Sequence, residues 1–182
     1  MVYLFLAEGF EEIEALAPVD ILRRGRVEVR TVGVGRKKIR GSHGICVEAD
    51  ITTAELGSLE DADAVILPGG MPGTLNLEAD AAVISAVKYC AENGKLIGAI
   101  CAAPSILGHL GLLKGRHATA FPGFEKDLEG YVPGKDGFVE RDGNIITARG
   151  MGVATDFGLE LLSAIGGEAA AARVRGSIQC RI

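Results

Sequence analysis

Residues 95–105, Lys-Leu-Ile-Gly-Ala-Ile-Cys-Ala-Ala-Pro-Ser, constrain the fold more than any other stretch of this chain. An apolar run stops at Cys101, small residues follow, and a helical pattern opens behind Pro104. A strand that turns this sharply into a helix presents one side chain at the carboxyl edge of a parallel sheet, where open α/β folds place their chemistry. Gly98, Ala99, Ala102 and Ala103 let the turn pass close to other backbone, and Pro104 suits a first helical turn, where its missing N–H costs nothing. Two readings of Cys101 stand. It is a nucleophile whose thiolate is favoured by adjacent helix amides, or it is one of the buried thiols that apolar strands commonly carry.

The remaining pattern repeats the strand–helix theme. Residues 2–7 and 62–67 are short continuous apolar runs, the signature of strands buried on both faces. Residues 11–24 have helical spacing, with acids first and Arg23-Arg24 last, an order that complements the helix dipole. Residues 27–34 read as a second strand. Residues 33–44 form a polar, glycine-rich loop whose basic knot (Arg36, Lys37, Lys38) is a solvated face, and residues 45–47 return as an edge strand. Helices are expected over 79–92, with Gly94 as stop signal, over 102–113 and over 153–165, with a helical alanine-rich tail from Gly166. A strand is expected over 117–120. Strands over 138–141 and 144–148 flank Asp142-Gly143, the strongest short hairpin signal in the chain. The expected architecture is α/β, a doubly wound, mostly parallel sheet with helices on both faces. Its 182 residues suffice for one domain with a continuous core.

Composition narrows the function classes. A net charge of −5 without a basic run argues against a nucleic-acid surface, and 5% aromatic residues with no Trp leave little for base stacking. No apolar stretch approaches the ~20 residues that span a bilayer, so no membrane partner is expected. The opening residues are a strand pattern rather than a leader, and a cytoplasmic location is expected. Cys46, Cys90, Cys101 and Cys180 form no CxxC pair, and His43, His109 and His117 are scattered, so neither a metal site nor a cofactor is expected.

Two further strand ends should converge on the edge that carries Cys101. In the helix over 11–24 the apolar stripe holds Ile13, Leu16, Ala17 and Ile21. Glu14 lies about 80° from its centre, whereas Glu11 and Glu12 lie well beyond 110°. Glu14 is therefore the acid expected to be partly buried. A buried carboxyl finds a partner or stays protonated, and a protonated Glu14 beside a thiolate would donate to sulfur. The alternative is that Glu14 only serves the helix dipole. Past the strand over 62–67, Gly69 and Gly70 can turn backbone N–H groups into the crevice as an oxyanion site, or simply form a tight turn. Cys90 reads as packing, Cys46 and Cys180 as exposed thiols, and Asp156 and Glu160 as a solvated face. His109 lies too far along the elbow helix to act on Cys101.

Residues 7–14, Leu67-Pro68-Gly69-Gly70, residues 99–104 and Thr147-Ala148-Arg149-Gly150 occur in an order and at intervals that resemble the ThiJ/PfpI superfamily over nearly the whole chain. The resemblance is to the branch of the parkinsonism-associated redox sensor and deglycase and the bacterial YajL-type proteins. It implies a flavodoxin-like fold, a homodimer, and an easily oxidised Cys101 thiolate bonded to a protonated Glu14, with Gly70 and Ala102 amides completing an oxyanion pocket. The implied activities are glutathione-independent glyoxalase, repair of methylglyoxal adducts, and redox-linked chaperoning. Substrates would be small aldehydes or glycated molecules. Some members carry a histidine before a proline near the cysteine. Here Phe121 precedes Pro122, so a general base is missing from that place. Ala102 stands where the protease-like branch has histidine, which disfavours peptidase or amidotransferase activity. His43 falls where relatives place a basic residue that can reach the partner's pocket across the dimer. Two functions follow from one pocket: a cysteine-dependent enzyme on 2-oxoaldehydes, or a non-enzymatic redox sensor or chaperone.

Overall fold

The computed structural model describes residues 1–135 and 137–180. The first half runs β1 (Val2–Leu6), α1 (Glu12–Arg24), β2 (Val29–Gly33), β3 (Lys38–Arg40), β4 (Cys46–Glu48), β5 (Ile51–Thr52), β6 (Ala64–Leu67), α2 (Gly73–Ala79) and α3 (Ala81–Glu92). It continues with β7 (Leu96–Ile100), α4 (Pro104–His109), β8 (His117–Ala118), β9 (Val132–Pro133), β10 (Val139–Asp142), β11 (Ile145–Ala148), α5 (Ala154–Gly166) and α6 (Glu168–Ser177). Seven strands make one sheet in the order β10-β11-β7-β6-β1-β2-β5. Within this sheet, among the described residues, only the β10–β11 pair is antiparallel.

The apolar runs form central strands because both faces of the sheet are covered. Val2, Leu4 and Leu6 of β1 point into a core shared with α1 and α5, while Tyr3, Phe5 and Ala7 point into a second core with α3 and α4. In β7, Gly98 sits where α5 presses closest. A Cβ there would meet Leu161 Cδ2 at 2.9 Å and Phe157 Cζ at 3.1 Å, so any larger residue would have to push these side chains of α5 aside. The chain leaves β1 for β2 on one side and returns to β6 on the other. This reversal opens a crevice at the carboxyl ends of β1 and β6, with β7 next in line. The expected doubly wound architecture is the one observed.

Several local expectations are corrected. The buried face of α1 is Glu14, Ala15, Pro18, Val19, Ile21 and Leu22, whereas Ile13 and Leu16 are 48% and 36% exposed. The buried side carries Ala15, Pro18, Val19 and Leu22, an apolar stripe at i, i+3, i+4, i+7 spacing that lies beside the expected one. The strand expected at 45–47 is no edge of the main sheet. β4 pairs with β3 in a separate hairpin, and β5 holds the sheet edge. The knot at 36–38 is a surface whose charges are paired, Arg36 with Glu8 and Lys37 with Glu55. Lys38 already belongs to β3. The helix expected from 79 is cut at Asp80, whose carboxylate caps α3 through the amides of Ala82 and Val83. The elbow helix ends at His109 rather than at 113, because Gly111 takes a φ of +71° and the chain turns away. The late hairpin turns at Gly143-Asn144, one residue beyond the expected pair. Asp142 is still paired with Ile145, and Gly143 supplies the positive φ that a two-residue loop needs.

Candidate functional site

Cys101 follows β7 and holds a φ of +66°, a left-handed conformation that costs a non-glycine residue of order 1–2 kcal/mol. Neighbouring backbone fixes it there. Its N–H donates to Ala148 O at 2.8 Å, and its carbonyl accepts from the Phe121 N–H at 2.8 Å. The side chain is thereby turned out of the sheet, half-buried, toward the crevice at β1 and β6.

Glu14 enters the same crevice from the first turns of α1 and is 1% exposed. Its position is set by the helix cap, since Glu11 accepts from the Glu14 amide at 2.7 Å. The Glu14 carboxyl accepts from the Gly69 N–H at 3.0 Å, takes a further bond from the Met151 backbone, and bonds to the Cys101 thiol. The turn after β6 makes the convergence possible. A Cβ on Gly69 would lie 2.6 Å from Cys101 Cβ and 2.7 Å from Glu14 Oε2, so the acid and the thiol meet across a hydrogen atom. Gly70 has a φ of +90° and is packed against the backbone of residues 9–11, where no side chain fits. The amides of Gly70 and Ala102 both bond to the Cys101 sulfur.

Burial raises the Glu14 carboxyl to about 7, with the Glu11 charge adding to the effect and the bonds from Cys101, Gly69 and Met151 opposing it. Burial also pushes the Cys101 thiol up to about 12, helped by the charge of a Glu14 carboxylate and opposed by the Ala102 and Gly70 amides. The expectation of a thiolate favoured by the helix terminus is thus corrected for an ionised Glu14. α4 is only six residues long, and Ala102 and Ala103 lie in the turn before it, so little dipole reaches the sulfur. The two groups titrate as a pair. As pH rises through neutrality the pair gains one negative charge, which resides on sulfur only when the proton is on Glu14.

The other acids of α1 do different work. Glu12 is 2% exposed, against the sequence expectation, because the loop over 41–45 folds onto it. Its Oε1 accepts from the His43 N–H at 2.8 Å, and its Oε2 lies 2.9 Å from His43 Nδ1. Burial opposes ionisation of Glu12, but these bonds outweigh it and hold the carboxyl below its usual value. The His43 imidazole is raised by its bond to Glu12 and by that carboxylate's charge. His43 therefore anchors its own loop, and its ring is 71% exposed.

The weaker candidates sit apart from the pair. Cys90 is buried in α3, and that burial raises its thiol to about 11. Cys46 is exposed and Cys180 half-buried. His109 pairs with Glu78 at 2.6 Å. Asp156 and Glu160 reach separate partners, Arg175 and Arg141. Phe121, in the place of the missing histidine, is 47% exposed and leans over Gly150. Sequence reasoning missed the Met151 amide on Glu14, whose only signal was the motif Thr147-Ala148-Arg149-Gly150 just before it.

The chain is similar to known proteins both in sequence and in fold. The chain is 36% identical over 175 residues to protein DJ-1alpha of Drosophila melanogaster, covering 94% of this chain and 80% of that protein. It is 35% identical over 152 residues to a deglycase of Pyrococcus horikoshii, covering 82% and 90% respectively. The solved structure of oxidised Toxoplasma gondii DJ-1 superposes with a TM-score of 0.94 at 33% identity, over 100% of this chain and 98% of that one. The family model described as the DJ-1/PfpI family matches residues 1–164, which contain Cys101, Glu14, Gly70 and Ala102. By sequence and by fold, the chain belongs to the DJ-1/PfpI family.

Proposed function

We propose that this protein is a cysteine-dependent enzyme that converts small 2-oxoaldehydes such as methylglyoxal, or their adducts, to 2-hydroxy acids. The observation that carries the reading is the contact between Cys101 and a buried Glu14 carboxyl held near neutrality, with the Gly70 and Ala102 amides on the sulfur. Sulfur adds to the aldehyde carbon as a C–S bond forms, and the resulting oxyanion is stabilised by the two amides. Glu14 gives its proton to that oxygen, then as a carboxylate removes the hydrogen from the same carbon as a proton and returns it at the adjacent carbon, while the hydroxyl proton passes from the first oxygen to the second, so that the first becomes the thioester carbonyl and the second the 2-hydroxyl. The product of this shift is a thioester of the 2-hydroxy acid. Water cleaves it to the free acid and the thiol, so no external oxidant or reductant is consumed. A deglycase name among the relatives supports the substrate class.

Two parts of the reading concern assembly and place. The exposed Ile13 and Leu16 on α1 form an apolar face that a second copy would cover, which supports a homodimer. The exposed His43 ring would then be the group that reaches toward the partner's pocket. Among the described residues no helix is long and apolar enough to cross a membrane, and the free thiols suit the reducing cytoplasm.

A redox-sensor or chaperone role is the second reading, favoured by the oxidised state named for the Toxoplasma relative. Here Cys101 is oxidised to a sulfinic acid that Glu14 would hold by a hydrogen bond. Conversion of methylglyoxal to lactate, followed by NMR for wild type and Cys101→Ala, separates the two. Lactate formed only with Cys101 intact is expected. Equal lactate from both proteins, or none from either, overturns the enzymatic reading. Peroxide-driven addition of two oxygens to Cys101 without turnover would replace it with the second.

A further inference from the structure

Beside the Cys101–Glu14 pair lies a cleft of about 350 Å³ whose lining is largely apolar: Phe121, Pro122, Phe138, Met151 and Val153, with Arg149 at its edge. Phe121, Phe138 and Met151 are each about half exposed (47%, 55% and 52%), a costly arrangement for three large apolar side chains around one opening. The cleft shares its walls with the reactive pair. The Phe121 N–H holds the Cys101 carbonyl, and the Met151 backbone bonds to Glu14. Between them Gly150 offers only a hydrogen. A Cβ there would lie 3.2 Å from the Phe121 ring and 3.9 Å from Glu14 Oε1. Phe138 is fixed by two contacts to one residue: its carbonyl accepts from the Arg149 N–H at 2.8 Å, and its ring lies 5.7 Å from the Arg149 guanidinium carbon.

We propose that this cleft is the specificity subsite for the group attached to the carbonyl next to the aldehyde, and that it selects an aryl or branched alkyl substituent over hydrogen or methyl. This deepens the 2-oxoaldehyde reading of the site and rests on it. Gly150 is the link: its Cβ position lies 3.9 Å from Glu14 Oε1 and 3.2 Å from the Phe121 ring, so a substrate carbon held on Cys101 beside Glu14 would pass its substituent over Gly150 into the cleft. The volume is at the small end of the about 300–1,000 Å³ usual for ligand pockets, which suits one ring rather than a peptide. Phe138 is the specificity-determining side chain, and Arg149 positions it.

The test compares kcat/KM for phenylglyoxal and methylglyoxal in wild type, Phe138→Ala and Phe138→Leu. Wild type is expected to favour phenylglyoxal. The ratio is expected to fall at least about tenfold in Phe138→Ala and to recover to within about threefold of wild type in Phe138→Leu. A binding measurement keeps the subsite testable without turnover: mandelate and lactate, the two product acids, are titrated against the methyl NMR signal of Met151. Mandelate is expected to shift it at concentrations where lactate does not, and Phe138→Ala to abolish the difference. An unmoved kcat/KM ratio, or equal shifts from both acids, overturns the subsite. If neither aldehyde is turned over yet mandelate alone shifts Met151, the enzymatic reading fails while the cleft assignment holds.

Discussion

Glu14 meets Cys101 across Gly69, the one residue between them that has no side chain to keep them apart. The carboxyl comes from the helix after β1 and the thiol from the elbow after β7. They meet because β1, β6 and β7 lie side by side and end at the same edge. A buried acid and a buried thiol in bonding contact share the consequences of every protonation event at either one.

Glu14→Gln tests where the shared charge resides. If the reactive species carries its proton on Glu14 and its charge on sulfur, the amide cannot take up that proton and the thiol must lose it to solvent. Iodoacetamide alkylation of Cys101 should then begin at a pH at least about one unit higher than in wild type. An onset that moves to lower pH would mean that the Glu14 charge had simply been repelling the thiolate, and would sink the proton-sharing scheme.

The same variant should change the pH dependence of stability. The Glu14 carboxyl is raised in the folded protein from 4.5 to about 7, so folding favours its protonated form. The associated stability is fully present below the unfolded value and is lost as pH rises from about 4.5 through about 7. At about 1.4 kcal/mol per unit, the loss is on the order of 3 kcal/mol by pH 8. Glu14→Gln should match wild type near pH 4.5 and exceed it in Tm at pH 8. Parallel Tm curves across this range would contradict the raised value.

Gly69→Ala should disconnect the pair. Its methyl would contact Cys101 Cβ and Glu14 Oε2 within 2.7 Å and force one of them aside. A cost of about 1–3 kcal/mol in stability is expected from overpacking. Lactate formation should fall at least a hundredfold, because a displacement of about 1 Å suffices for such a loss. Activity within a few-fold of wild type in a folded variant would show that the contact is dispensable.

Glu12→Ala should act on the loop and not on the thiol. It leaves the His43 and Ile45 amides without their acceptor, at about 1–3 kcal/mol. Hydrogen exchange should quicken at these two amides, while the pH profile of Cys101 alkylation stays in place. Unchanged exchange would mean that the loop is held by its backbone bonds alone.

Much of the candidate site was legible because its parts are local. The elbow is announced by an apolar run ending in Cys101 beside Ala102, Ala103 and Pro104, and the oxyanion turn by Gly69-Gly70 after a buried strand. Glu14 is buried as expected, although the helical stripe used to place it is itself misplaced. The stripe counted Ile13 and Leu16, which face outward, and missed the burial of Glu12, whose partners lie in a loop some thirty residues away.

By itself the sequence determined the strands, because a segment covered on both faces must be apolar throughout, and it determined the elbow, because few residue types tolerate that turn. Tertiary structure decided the burial of Glu12, since the loop that covers it comes from some thirty residues away. It also decided the ionisation of Glu14 and Cys101. A charge responds to the solvent it has lost and to the neighbours it has gained, and both come from residues far apart in the chain.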